Sequence, residues 1–101
     1  DNLKAFENLQ QSLKIAQDIQ DTELQSKSLT SLGSLYINFK KYPEAIEYLQ
    51  RSLIIARQIK ERTVEAKTLD YIGVVYNFLG DYQKAKAYHN ESLKISQRIG
   101  D

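Results

Sequence analysis

Side-chain catalysis needs a nucleophile, a base and an orienting group within hydrogen-bond reach, and this 101-residue chain offers little to build one from. It carries one histidine, His89, and no cysteine, which leaves only carboxylates and serines. The acidic pair Glu65 and Asp70 is five residues apart on one predicted helix and does not share a face. A lone histidine has no second ring with which to hold a metal, and without cysteine there is no thiolate zinc site, disulfide or thiol chemistry. The four glycines fall inside or just after predicted helices, so no phosphate-cradling loop exists. The chain reads as a non-enzyme with no cofactor and no metal. What remains is recognition chemistry. Lys27 and Lys67 recur 40 residues apart, with Asn38 and Asn77 and the apolar Ile37, Val74 and Phe78 at related positions.

For these residues to act together, folded elements must bring them onto one surface. The stretch SLGSLYINFKKYPEAIEYLQRSLIIARQI from Ser31 is echoed by YIGVVYNFLGDYQKAKAYHNESLKISQRI from Tyr71. Sliding the chain 40 residues along itself pairs 1–61 with 41–101, and 20 of these 61 pairs are identical without a gap. Apolar and small residues recur at intervals of three or four, as in Ala45, Leu49, Ser52, Leu53, Ala56 and Ile59, which is helical spacing. Ala5, Leu9, Ser12, Leu13, Ile15 and Ile19 copy the same stripe. Pro43 marks a helix start, Thr22 with Gln25 fits a capping box, and Gly80-Asp81 supplies a stop followed by an N-cap. The spacing predicts five helices, over residues 2–19, 22–39, 42–59, 62–79 and 82–99, in the order B, A, B, A, B. Paired amphipathic helices that cannot bury their faces alone do so by stacking. The predicted fold is therefore an all-α solenoid of antiparallel helix pairs, one domain over 1–101 with about two and a half repeats.

Composition excludes several partners. The net charge is +1, with 14 basic and 13 acidic residues interspersed, so no field draws the chain to nucleic acid or anionic lipid. No apolar run approaches the roughly 18 residues needed to span a bilayer, and the N-terminal DNLKAFENLQ has no signal-peptide core. The absence of cysteine fits a reducing, cytoplasmic setting. The chain has no methionine, not even a first one, and reads as a piece of something longer.

Leu29-x2-Leu32-Gly33-x2-Tyr36 followed by Ala45-x3-Leu49, and Leu69-x2-Ile72-Gly73-x2-Tyr76 followed by Ala85-x3-His89, resemble the tetratricopeptide repeat pattern W-x2-L-G-x2-Y…A-x3-F. A glycine inside a helix costs about 1 kcal/mol relative to alanine, so its recurrence implies a close approach of the paired helix, with the alanine opposite serving the same contact. The period is 40 rather than about 34 residues, and the second helix of each pair runs longer. In this respect the chain is similar to the arrays of Pins-type adaptors, kinesin light chains and many bacterial signalling proteins. The resemblance implies a scaffold that binds a protein or peptide in a concave groove lined by the A helices. With Leu29, Leu32, Gly33 and Tyr36 in the core, the first A helix gives that groove Lys27, Thr30, Ser31, Ser34, Ile37 and Asn38. The second gives Lys67, Asp70, Tyr71, Val74, Asn77 and Phe78, with Asp70 tempering a preference for acidic ligands. Ser34 and Val74 stand where Pins-type arrays place an asparagine. Of the carboxylate clamp of chaperone-type arrays, only the basic residue at Lys27 and Lys67 is present, which argues against such a clamp. His89 and the tyrosines at 36, 42, 48, 76, 82 and 88 are expected to pack. The alternative is self-assembly through uncapped ends, since Leu3, Phe6, Leu9 and Leu13 have no obvious cover.

Overall fold

Every 20 residues the chain turns a corner in the same way. The computed structural model describes residues 1–100 and contains α1 (Asn2–Asp18), α2 (Thr22–Asn38), α3 (Tyr42–Gln58), α4 (Arg62–Phe78) and α5 (Tyr82–Gly100). At each corner one residue takes the left-handed conformation: Gln20, Lys40 and Lys60 with φ of 58–60°, and Gly80 with φ of 83°. Its amide and the next donate back into the last turn, as in Gln20 N to Gln17 O and Asp21 N to Ala16 O, which satisfies carbonyls left over at the helix end. Three of the four corners do this without glycine, at roughly 1–2 kcal/mol each. The residue that follows caps the next helix. Asp21, Glu61 and Asp81 accept from the amides of Leu24, Thr63 and Lys84. Lys41 makes no such bond, and Pro43 opens α3 instead. The predicted capping box is thus corrected: Asp21, not Thr22, is the N-cap, and the Gln25 side chain donates to the carbonyl of Ala16 on α1.

The helices pack in chain order, α1 on α2, α2 on α3, α3 on α4 and α4 on α5, and α2 also touches α4. Among the described residues α1, α3 and α5 do not meet backbone to backbone, so the A helices close up on one side while the B helices fan apart on the other. The result is a two-layered solenoid measuring 36 × 32 × 19 Å. Leu49, Leu53, Leu69, Ile72 and Val75 form the core of α3 and α4, and Leu13, Leu29 and Leu32 join α1 to α2. The glycines sit at close contacts, but the neighbour is not alanine's methyl group. A Cβ on Gly33 would stand 2.5 Å from the Leu49 side chain and 3.3 Å from the Ala45 carbonyl, and one on Gly73 would stand 2.7 Å from the His89 ring.

Polar atoms tie the layers together. Ser52 donates to the Ser26 carbonyl at 2.7 Å and lies 2.6 Å from Thr30, which is 2.7 Å from Thr68. Each hydroxyl has one proton, so Thr30 donates to Ser52 and Thr68 to Thr30, a relay from α4 through α2 to α3. One repeat later Ser92 donates to the Ala66 carbonyl. Glu65 is only 4% exposed; its oxygens accept from Arg62 at 2.6 Å and from Arg57 of α3 at 3.1 Å, and Arg57 reaches on to Glu91 of α5. Burial pushes the Glu65 carboxyl up, but the two guanidinium groups outweigh it and hold it below the usual carboxylate range. A carboxyl depressed in the folded state contributes stability above its unfolded value of about 4.3 and loses it as pH falls through the folded value. Urea unfolding should therefore show wild type more stable than Glu65→Gln by about 1–3 kcal/mol near neutrality, converging below roughly pH 4. Parallel curves would contradict the assignment.

Candidate functional site

The side on which α2 and α4 meet carries most of the residues picked out for recognition. Two depressions lie along it. The first, about 280 Å³, is lined by Lys27, Thr30 and Ser31 of α2 and by Thr63, Val64 and Lys67 of α4. The second, about 410 Å³, is lined by Ser34, Ile37, Asn38 and Lys40, by Tyr42 at the start of α3, and by Tyr71, Val74 and Phe78. Ten of the twelve expected groove residues line these two surfaces, because a 40-residue repeat sets equivalent positions of successive A helices side by side. Thr30 is the floor and not the wall, since its hydroxyl is buried in the Thr68–Ser52 relay.

Asp70 and Asn77 are different. Both turn toward α5, where the Asp70 carboxylate is 2.9 Å from His89 Nδ1 and the Asn77 amide is 3.5 Å from His89 Nε2. A carboxylate only accepts, so Nδ1 bears the proton and Nε2 faces the Asn77 donor. His89 packs over Gly73 as expected, yet it is partly exposed and polar-bonded rather than sealed in a core. Asp70 is thus held toward α5 by His89, while its side chain stays 59% exposed and lines a hollow with Lys67. Lys27 is 3.0 Å from Glu23, whose carboxylate raises the lysine's pKa. Lys67 makes no ion pair among the described residues.

Aromatic rings fix the lower end. Phe78 stacks on Tyr42 with ring centroids 5.5 Å apart and stays 61% exposed. Tyr36 stacks on Tyr48, and Tyr76 on Tyr88. These pairs bear out packing roles for Tyr36, Tyr42, Tyr48, Tyr76 and Tyr88, but Tyr82 is 70% exposed. Sequence reasoning missed Lys40, Tyr42, Thr63 and Val64, which reach the groove from helix ends. The signal was available for Tyr42 in its recurrence with Tyr82 beside the end of each A helix. At the N-terminal end, α2 covers Leu13 and partly Leu9 and Phe6, contrary to expectation, so that only Leu3 of the four stays open.

No helix of the described residues is long and apolar enough to cross a membrane. A family model described as tetratricopeptide repeat matches residues 24–98. A search of curated proteins gives no match. Among solved structures the chain is similar to the tetratricopeptide repeat domain of Arabidopsis FLU in its crystal structure, at a TM-score of 0.85 and 27% identity, covering 99% of this chain and 82% of that one.

Proposed function

Because this chain belongs to the tetratricopeptide repeat family, we propose that it is a non-catalytic scaffold whose α2–α4 groove binds an extended or helical segment of a partner protein bearing apolar and acidic residues. The repeat generally mediates protein–protein interaction, and the groove specifies the chemistry. The observation that carries the reading is Phe78, a large apolar ring left largely in water over the larger depression and continuous with half-buried Ile37 and Val74. An apolar anchor excluded from water supplies most binding energy, whereas exposed charge acts mainly on association rate and partner choice. Peptides selected by display on the immobilised chain provide the ligand for a kinetic test by surface plasmon resonance. Lys67→Glu is expected to slow association of an acidic peptide several-fold with little change in dissociation, and Lys94→Glu on exposed α5 to change neither. Equal effects of the two would contradict the groove reading.

A second reading, self-association, is favoured by the exposed apolar residues at the two ends: Leu3 and Ile15 on α1 with Ile19 just after it, and Leu93 and Ile99 on α5. It predicts a sedimentation coefficient that rises with concentration. A single monomer species at high concentration would defeat it.

A further inference from the structure

The two outer helices carry opposite charge beside their exposed apolar residues. Residues 1–23, α1 with its cap and the following corner, hold two lysines against five acidic side chains. Residues 81–100, α5 with its cap, hold three lysines and an arginine against two acidic side chains. Of those two, Glu91 is taken by Arg57, and Asp81 accepts from the Lys84 amide. Lys86, Lys94 and Arg98 on α5, and Glu7 and Asp18 on α1, form no ion pair among the described residues.

Each outer helix also leaves one stripe uncovered. Along α5, Tyr82, Lys86, His89, Leu93 and Ser96 recur at intervals of four and three and share a face. Forty residues earlier the same stripe is Tyr42, Ile46, Leu49, Leu53 and Ala56, which joins the core that α3 forms with α4. Leu53 is 3% exposed there, and Leu93 is 55% exposed. Lysine, histidine and serine replace isoleucine, leucine and alanine, so the open face of α5 is basic and only partly apolar. On α1 and its C-cap, the stripe Ala5, Asn8, Ser12, Ile15 and Ile19 is the counterpart of Ala45, Tyr48, Ser52, Ile55 and Ile59. In α3 that stripe meets α2, Ala45 at Gly33, Tyr48 on Tyr36 and Ser52 at the Ser26 carbonyl. On α1 it leaves Ile15 and Ile19 exposed, with Asp18 beside them. Like charges oppose pairing of α1 with α1 or of α5 with α5, and opposite charges favour α1 with α5. Within one chain α1 packs on α2 and α5 on α4, and the two do not meet among the described residues.

We infer, resting on the self-association reading above, that the basic face of α5 is covered by the acidic face of α1 of a second copy, so that copies join head to tail. Such a contact is heterologous and leaves each joined pair with one free α1 and one free α5, so it propagates into an open chain or closes into a ring. The test is sedimentation of the whole chain across a range of concentrations, in wild type and in two charge-reversed variants. One variant carries Lys86→Glu with Arg98→Glu, the other Glu7→Lys with Asp18→Lys. All four positions are exposed, so both variants should keep the wild-type helical circular dichroism. Each variant alone should associate about tenfold more weakly than wild type, because its two ends then carry the same sign. An equal mixture of the two should recover wild-type association, since acidic ends again find basic ones. Either variant associating as strongly as wild type, or a mixture that fails to recover, overturns the head-to-tail inference and leaves self-association standing. A wild-type chain that is monomeric at every concentration overturns both.

Discussion

Replacing Gly33 with leucine is expected to destabilise the chain by about 2–3 kcal/mol net, the upper part of the usual range for overpacking, whereas Gly73→Leu should cost about 1 kcal/mol. A Cβ at Gly33 meets Leu49 Cγ and Cδ2 at 2.5 and 2.6 Å and the Ala45 carbonyl at 3.3 Å. Leu49 and Ala45 are fully buried, so neither has room to yield, and α2 and α3 must part. Removing a helical glycine returns up to about 1 kcal/mol of backbone propensity, which offsets only a fraction. At Gly73 the obstacle is the His89 ring at 2.7–3.0 Å. That ring lies at the rim with a side chain 36% exposed, and can swing outward at the loss of its Asp70 contact. For a domain of this size each kcal/mol moves the melting temperature by roughly 4–8 °C, so Gly33→Leu should melt roughly 10–20 °C lower and Gly73→Leu by less than half as much. Unchanged melting for both would show that neither glycine lies at a helix contact.

Phe78→Ala should weaken binding of a groove-selected peptide by about 2 kcal/mol or more, roughly 30-fold in Kd. Its ring is the most exposed apolar side chain of the second depression and stacks on Tyr42. Since Phe78 is mostly exposed in the free chain, removing it forfeits little beyond that stack, about 0.5–1.5 kcal/mol, and folding should persist. Calorimetric titration with a parallel thermal melt separates the effects. A loss of less than threefold in Kd, with folding intact, would remove Phe78 as the anchor.

The stacking order and the groove's main membership were legible because they depend on a 40-residue translation that the sequence repeats without a gap. Gly33 and Gly73 marked the crossings, and Lys27 with Lys67 marked one position on neighbouring helices. Features that break the translation were hidden. Three of the four corners put Gln20, Lys40 and Lys60 in a conformation that usually signals itself by glycine, and the predicted helix ends ran one residue long at all four corners, the one at Gly80 included. The diversion of Asp70 and Asn77 follows from His89 replacing the Leu49 of the preceding repeat: a ring with two polar edges recruits partners that a leucine cannot. The burial of Glu65 depends on Arg57 of another helix, a pairing that no spacing rule brings together.

The most direct test of the groove as the binding surface is a map of amide chemical-shift changes on the 15N-labelled chain as a display-selected peptide is added. The account predicts changes concentrated along α2 and α4, at Lys27, Ser31, Ile37, Lys67, Val74 and Phe78, with the outward faces of α1, α3 and α5 unmoved. Changes concentrated instead on those outward faces, around Ile54 or Lys94, would contradict it.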